Sequence, residues 1–210
     1  METPNVKICG VTTVEDAELA VELGAWAVGL IFHQPSPRRV KASDAARIGQ
    51  AVRGRTRVAG VFLNHPLDLI MTRHENVGFD LVQLHGDEGP AFCSEVARRT
   101  GAKVIKAARV RDAGDMRSLD AFRSVDFHLV DGVERGEPVD PALRRARRSD
   151  IPLIIAGSLT PDNVAEAVTA WEPYAVDVAS GVEAEPGRKD PDKLAAFFAA
   201  VGGEAGVPAP

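Results

Sequence analysis

Near its N-terminus the chain reads Val6-Lys7-Ile8-Cys9-Gly10, an apolar run that carries one lysine and one cysteine. If this run is a β-strand, Val6 and Ile8 face one side and Lys7 and Cys9 face the other. A lysine and a cysteine on one face are unusual for a plain core strand, and Gly10 lets the backbone turn directly after it. We interpret Cys9 as a reactive group. The stretch alone leaves open that Cys9 is a small buried hydrophobic residue, as most free cysteines are.

The rest of the chain repeats one unit, a short apolar strand followed by a helix, about eight times at intervals of roughly 25 residues. The predicted strands cover 6–10, 25–32, 57–63, 81–85, 104–108, 127–131, 153–157 and 174–179. Predicted helices cover 14–23, 43–52, 67–74, 115–122, 141–148 and 192–201, with others near 92–97 and from 160 onward. Ser43 is predicted to cap the second helix.

This alternation predicts an α/β fold. Apolar strands interleaved with helices are typical of a parallel sheet with helices on its outside, and eight such units close into a (β/α)8 TIM barrel. We predict one barrel domain over 1–203 and a flexible C-terminal tail over 204–210, which is rich in Gly, Pro and Ala. A doubly wound open sheet is the alternative, but the first strand lacks the Gly-rich dinucleotide turn expected there.

Composition narrows the class of protein. The 210 residues are 45% hydrophobic and 26% charged, as in soluble globular domains. A net charge of −5 argues against nucleic-acid partners. The two cysteines, Cys9 and Cys93, are too far apart in sequence for a Cys-rich zinc site, and a disulfide framework is not expected, which predicts a cytoplasmic protein. Cys93 is expected in the core. No apolar run reaches the roughly 18 residues of a membrane span, so no membrane partner is expected.

Chemically useful side chains recur where strands end, which is where the active sites of such barrels lie. These residues are Cys9, Arg38, His85, Asp131 and Asp177. Each has a plainer interpretation: Arg38 as a surface charge, for example, or His85 as an interior histidine. The two aspartates are harder to dismiss, because each follows an apolar run and is costly to bury without a partner.

The last two strands lead into loops of small residues, Ala156-Gly157-Ser158 and Ala179-Ser180-Gly181. Small residues let backbone N–H groups approach a phosphate closely, and the loops after strands seven and eight are the usual phosphate site of this fold. We therefore predict a phosphate site formed by Gly157, Ser158, Ser180 and Gly181. Gly157 and Gly181 as ordinary turn residues remain the alternative.

Seven motifs resemble one enzyme family over nearly the whole chain. They are VKICGVTTVEDA at 6–17, SPR at 36–38, GVFLN at 60–64, VQLHGDE at 82–88, VIKAARV at 104–110, LTPDNV at 159–164 and AVDVASGVE at 175–183. The sequence resembles the phosphoribosylanthranilate isomerases of tryptophan biosynthesis. The resemblance implies an Amadori-type rearrangement of N-(5-phosphoribosyl)anthranilate to 1-(carboxyphenylamino)-1-deoxyribulose 5-phosphate.

The resemblance also implies roles for particular residues. Cys9 would be the general base, Asp131 the general acid, and Arg38 the group that holds the anthranilate carboxylate. Lys7, His85 and Asp177 are predicted to contact the substrate. Such acid–base chemistry requires neither a metal nor an organic cofactor. The expected partner is a small phosphosugar, and the expected assembly is a monomer or a homodimer.

The two catalytic roles make demands on pKa values. A thiolate base needs a pKa lowered by nearby positive charge, and Lys7 is one possible source of that charge. Asp131 must instead be kept protonated by burial or by neighbouring negative charge.

Two departures from the family pattern leave the substrate open. Segment 131–141 is shorter than the usual Gly-rich loop and lacks its Phe-Asp-Trp-like sequence, and Gly157-Ser158 stands where two glycines are usual. One alternative is a paralogous barrel enzyme that acts on a related phosphosugar or aryl-amine substrate. Another is a non-catalytic phosphosugar-binding barrel, against which the presence of both Cys9 and Asp131 argues.

Overall fold

The computed structural model describes residues 3–132 and 138–202. Eight parallel strands follow one another around a closed barrel, and the first strand pairs with both the second and the eighth. They are β1 Asn5–Cys9, β2 Ala27–Ile31, β3 Arg57–Phe62, β4 Leu81–Leu84, β5 Lys103–Val110, β6 Phe127–Gly132, β7 Leu153–Ile155 and β8 Ala175–Val178. The predicted (β/α)8 barrel is confirmed. The predicted tail at 204–210 lies outside the described residues.

Helices connect the strands on the outside of the barrel. They are α1 Val14–Glu22, α2 Ala42–Ala51, α3 Leu67–Val77, α4 Pro90–Thr100, α5 Ala113–Ser118, α6 Val164–Trp171 and α7 Pro191–Gly202, with short 3-10 helices at Leu119–Ala121, Pro141–Ala146 and Ser180–Val182. Within the described residues, no helix is long and apolar enough to cross a membrane.

Three local predictions were wrong. Segment 141–148 forms only a 3-10 helix over Pro141–Ala146, in which no residue is fully buried, although Leu143 and Ala146 pack partly buried against the core. The second helix begins at Ala42 with Lys41 as its N-cap, so Ser43 lies inside the first turn and does not cap it. The helix expected from 160 begins at Val164, because Asn163 holds the preceding turn by accepting from the N–H of Thr160 at 2.8 Å.

Side chains alternate between the barrel interior and the layer under the helices. Val6 and Ile8 pack in the outer layer, as predicted for β1, whereas Lys7 and Cys9 are buried on the opposite face. Cys93 is buried in the outer layer, which confirms its predicted core position. The apolar interior layer consists of Ala27, Ala59, Leu81, Ile105, Ala107, Phe127, Leu129, Ile154, Ala156 and Ala175. The polar side chains above this layer therefore meet at the carboxyl ends of the strands.

A small hairpin after β8 was not predicted. It consists of β9 Glu183–Glu185 and β10 Arg188–Lys189, which pair antiparallel. Gly187 lies at its turn with a φ of 87° and accepts a hydrogen bond from the Thr12 hydroxyl at 2.6 Å. The hairpin therefore contacts the loop that follows β1.

Candidate active site

A buried ion pair lies inside the barrel, near the carboxyl ends of β1 and β8. Lys7 on β1 and Asp177 on β8 are neighbours in register, and Lys7 Nζ donates to Asp177 Oδ1 at 2.9 Å. The two side chains are 0% and 7% exposed, so each charge depends on the other. Burial lowers the pKa of Lys7, but the charges of Asp177 and Cys9 outweigh it, and the pKa is raised overall. Lys7 is therefore a permanent cation at this rim.

Cys9 ends β1 beside that lysine and is only 6% exposed. A Cβ atom on Gly29 of β2 would lie 2.9 Å from Cys9 Sγ and 3.1 Å from Lys7 Nζ, so a glycine is needed there to make room. Burial raises the pKa of the Cys9 thiol, and the opposing charge of Lys7 does not overcome it. The lowered pKa that a thiolate base requires is therefore not provided by Lys7 alone, because burial raises the pKa of Cys9 more than the charge of Lys7 lowers it.

Asp131 lies near the end of β6 with a quarter of its side chain exposed. Burial and the negative charge of Asp177 raise its pKa to about 6, against the opposing influence of Arg109. This agrees with the expectation that burial and a neighbouring carboxylate keep Asp131 protonated more readily than an ordinary aspartate. The carboxyl can thus both hold and release a proton close to neutral pH.

His85 follows β4 and stands next to Asp131, with 3.5 Å between His85 Nε2 and Asp131 Oδ2. Burial, together with the positive charges of Arg109 and Lys7, lowers the pKa of His85 to about 4. The imidazole is therefore neutral near pH 7. Its Nε2 is buried and has no hydrogen-bond partner in the part of the chain that the structure describes. This nitrogen is available to a bound molecule.

Arg38, in the loop after β2, is turned toward a carboxylate of the protein itself. Its Nε donates to Glu183 Oε1 and Oε2 at 2.8 and 3.0 Å, and its Nη2 donates to Oε2 at 2.7 Å. Glu183 is 5% exposed and also accepts from Lys189 Nζ at 3.2 Å. Lys189 Nζ in turn donates to the carbonyl of Cys9 at 2.7 Å. Two of the three guanidinium nitrogens of Arg38, Nε and Nη2, are therefore already bound to Glu183.

Sequence reasoning missed Glu183 and Lys189. Glu183 is the last residue of the AVDVASGVE motif, and an acid that ends a motif was a usable signal. Lys189 belongs to the unpredicted hairpin, and no local pattern marked it.

The two predicted phosphate loops lie against each other. Gly157 and Ser158 after β7 have positive φ values of 91° and 53°. Ser180 and Gly181 begin the 3-10 helix after β8, and the first N–H groups of a helix have no partner within it. A Cβ atom on Gly181 would overlap the carbonyl of Leu159, so the loops touch there.

The loop after β7 also adjoins the candidate acid. A Cβ atom on Gly157 would lie 2.5 Å from the backbone nitrogen of Gly132 and 2.9 Å from Asp131 Oδ1. The structure thus brings Lys7, Cys9, His85, Asp131, Asp177 and both small-residue loops to one rim, while Arg38 approaches from the side through Glu183. Arg109, the neighbour of Asp131 in register, was not predicted at all.

The sequence model of the N-(5'phosphoribosyl)anthranilate (PRA) isomerase family matches residues 6–200. The chain belongs to this family. A PRA isomerase from Citrifermentans bemidjiense is 44% identical over 200 residues, which cover 92% of this chain and 95% of the relative.

Solved PRA isomerase structures agree with this assignment. Monomers of the dimeric enzyme from Thermotoga maritima superpose with a TM-score of 0.85 at 36% identity, covering 95% of this chain and 99% of that one. A PRA isomerase in complex with reduced 1-(o-carboxyphenylamino)-1-deoxyribulose 5-phosphate superposes with a TM-score of 0.85 at 37% identity and the same coverage. Residues 133–137, within the segment that departs from the PRA isomerase pattern, lie outside the described residues.

Proposed function

We propose that this protein isomerises N-(5'-phosphoribosyl)anthranilate to 1-(o-carboxyphenylamino)-1-deoxyribulose 5-phosphate, a step of tryptophan biosynthesis, with Cys9 as base and Asp131 as acid. The observation that carries this proposal is the Lys7–Asp177 ion pair, which acts electrostatically on both residues at one barrel rim. Membership of the PRA isomerase family supports the substrate.

Asp131 begins the reaction in this proposal. Its carboxyl protonates the furanose ring oxygen, the C1–O bond breaks, and the nitrogen lone pair forms an iminium at C1. Asp131 is suited to this step because its raised pKa, about 6, makes it a better proton reservoir at neutral pH than an ordinary aspartate. Neutral His85, 3.5 Å away, leaves that proton with the carboxyl.

Cys9 completes the rearrangement. Its thiolate removes the proton from C2 of the open-chain iminium, which forms an enolamine, and reprotonation at C1 together with loss of the C2 hydroxyl proton gives the ketone product. The thiol starts with a raised pKa, so only a minority of molecules carry the thiolate near neutral pH. Lys7 stabilises that thiolate when it forms. Both steps transfer protons between these residues and the substrate and shift electron pairs within the substrate, and we propose that neither uses a cofactor or a metal.

The remaining predicted residues bind the substrate. We assign the phosphate to the loops at Gly157–Ser158 and Ser180–Gly181, where backbone N–H groups can face it. Arg38 is assigned to the substrate carboxylate through Nη1, since its Nε and Nη2 donate to Glu183. Lys7 and Asp177 line the floor beneath the sugar.

The test is turnover of phosphoribosylanthranilate, measured by loss of its anthranilate-type fluorescence. Cys9→Ser should fold yet lose activity by on the order of 10² to 10⁴-fold, because a hydroxyl is a far weaker base than a thiol. Cys93→Ser is the matched control, since Cys93 is equally buried but lies under α4 in the outer layer. Near-parental turnover by the Cys9 variant would remove the proposed mechanism.

A further inference from the structure

Lys189 is a buried lysine that the proposed mechanism leaves without a role. It lies on β10 of the hairpin after β8, and its side chain is 0% exposed. Its Nζ has three acceptors: the carbonyl of Cys9 at 2.7 Å, the carbonyl of Ala179 at 2.9 Å and Glu183 Oε1 at 3.2 Å. These acceptors require the ammonium form, because a neutral amine has a lone pair in place of one proton. Lys189 is therefore a cation that is fixed on three sides.

Two of the acceptors are backbone groups at the ends of neighbouring strands. Cys9 is the last residue of β1, and Ala179 directly follows β8, which pairs with β1. The bond to the Cys9 carbonyl holds the peptide group next to the Cα that bears the thiol. The backbone N–H of Lys189 donates in turn to Asp16 Oδ2 of α1 at 3.2 Å, which anchors the hairpin strand. The ammonium thus holds the backbone of Cys9 from an anchored strand.

The third acceptor connects Lys189 to Arg38. Glu183 Oε1 accepts from Lys189 Nζ and also from Arg38 Nε at 2.8 Å, while its Oε2 accepts from Arg38 Nη2. Burial raises the pKa of Glu183, but the two cations outweigh this and lower the pKa overall. Glu183 is therefore an ionised link between them. A continuous line of hydrogen bonds joins Cys9 to Arg38.

The charge of Lys189 also acts on the thiol. Burial raises the pKa of Cys9, and among the charged groups Lys7 lowers it, Asp177 raises it and Lys189 lowers it. Lys7 has a carboxylate to itself, whereas Lys189 shares Glu183 with a second cation, so its charge is only partly cancelled. The attraction is mutual: burial lowers the pKa of Lys189, and the charges of Glu183 and of the Cys9 thiolate oppose that lowering.

We propose that Lys189 is a positioning residue for the isomerisation, which holds the backbone of Cys9 and, through Glu183, the guanidinium of Arg38. The inference rests on the proposed function and deepens it. One buried ammonium sets the placement of the base relative to the arginine that binds the substrate. Its loss therefore changes a rate and a binding constant together, whereas a merely structural lysine would change only stability.

Lys189→Met removes the ammonium and keeps the length of the side chain. It is made in a Cys93→Ser background, so that Cys9 is the one thiol of the chain. Alkylation of Cys9 by iodoacetamide should be about tenfold slower at a fixed pH, because the thiolate loses a nearby cation. The kcat for phosphoribosylanthranilate should fall by on the order of 10 to 100-fold as thiolate and alignment are lost. KM should rise, because Arg38 loses its fixed placement.

Lys193→Met is the matched control. Lys193 Nζ donates to the backbone carbonyl of Glu183 at 2.8 Å, so it ties the same hairpin to α7 without touching Cys9. This variant should leave the alkylation rate, kcat and KM at the values of the parent. Thermal unfolding checks that each variant is folded. If Lys189→Met does not fold, Lys189→Gln, which removes the charge but keeps an N–H donor, is measured in the same way.

Two outcomes overturn the proposal. The first is a folded Lys189 variant that alkylates Cys9 and turns over substrate as the parent does. The second is an equal loss in Lys193→Met, which would assign the effect to packing of the hairpin. Absence of turnover by the parent would instead overturn the proposed function. Alkylation of Cys9 needs no substrate, so the two failures are distinguishable.

Discussion

Two buried lysine–carboxylate pairs in this barrel have the same length and different surroundings. Lys7–Asp177 and Lys106–Glu88 are both 2.9 Å pairs with side chains no more than 7% exposed. Lys7 faces the barrel interior beside Cys9, whereas Lys106 alternates with the interior residues Ile105 and Ala107 and so faces outward.

The outer pair is saturated with local partners. Glu88 accepts from the backbone N–H groups of Asn64 at 2.7 Å and Gly86 at 2.8 Å, and Lys106 also donates to the carbonyl of Gly86 at 2.5 Å. These bonds tie the loop after β4 to the end of β3 and to β5. The charges of the inner pair act on the two candidate catalytic groups, Cys9 and Asp131, whereas those of the outer pair act on His85 and Cys93. A buried ion pair therefore serves structure or chemistry according to which other ionisable groups its charges act on.

Replacing the two lysines in turn gives the largest expected difference between the pairs, and that difference is in kcat. Lys7→Met should lower kcat by on the order of 10² to 10⁴-fold, because the thiolate of Cys9 loses its stabilising cation. The rate of Cys9 alkylation should fall with it at a given pH. Lys106→Met should keep the turnover of the folded molecules near that of the parent.

Both substitutions leave a buried carboxylate unpaired, so both should destabilise the fold by about 3–5 kcal/mol. Urea unfolding at low temperature measures that loss, and turnover is then compared per folded molecule. If Lys106→Met lowers turnover per folded molecule as much as Lys7→Met does, the distinction between the pairs is wrong.

Stability should depend on pH with opposite signs in the two regions. The folded-state pKa of Asp131 is raised to about 6 from 3.8, so its contribution is present below pH 3.8 and is lost as the pH rises through 6. Asp131→Asn should therefore gain stability over the parent between pH 4 and pH 7, by up to about 3 kcal/mol.

Glu88 provides the matched control. Burial raises its pKa, but the N–H of Asn64 and the charge of Lys106 outweigh this and lower the pKa overall. Its contribution is therefore present above its ordinary pKa and is lost in acid. Glu88→Gln should lose more stability relative to the parent at pH 7 than at pH 4. Denaturant unfolding at both pH values measures the two trends, and trends of the same sign would contradict this assignment.

The pH profile of kcat/KM gives the smallest effect, a tenfold change per pH unit on its acid side. Below about pH 6 the rate should fall with the thiolate fraction of Cys9. Above that pH the loss of protonated Asp131 offsets the gain in thiolate, so the profile should stay flat until Cys9 itself titrates. Steady-state rates from pH 5 to pH 9 measure the profile. A steady decline above pH 6 would mean that the Cys9 thiolate is already formed there.

Several parts of this molecule could be predicted from local pattern. Strand alternation correctly placed Val6 and Ile8 outside and Lys7 and Cys9 inside. Parallel strands end at the same rim, so residues at strand ends, such as His85 and Asp131, could be expected together without any knowledge of contacts. The helix expected at 141–148 formed only as a 3-10 helix over Pro141–Ala146, in which no residue is fully buried.

The sequence by itself determined the order of strands and helices, the barrel and the rim that carries Cys9 and Asp131, because periodicity and strand direction are properties of neighbouring residues. Tertiary structure alone decided which charges meet. Arg38 and Glu183 are 145 residues apart in sequence, and Lys189 and Cys9 are 180 apart. The raised pKa of Cys9 depends on burial by several strands. Such effects fall off within a few ångströms in space and have no counterpart in sequence distance.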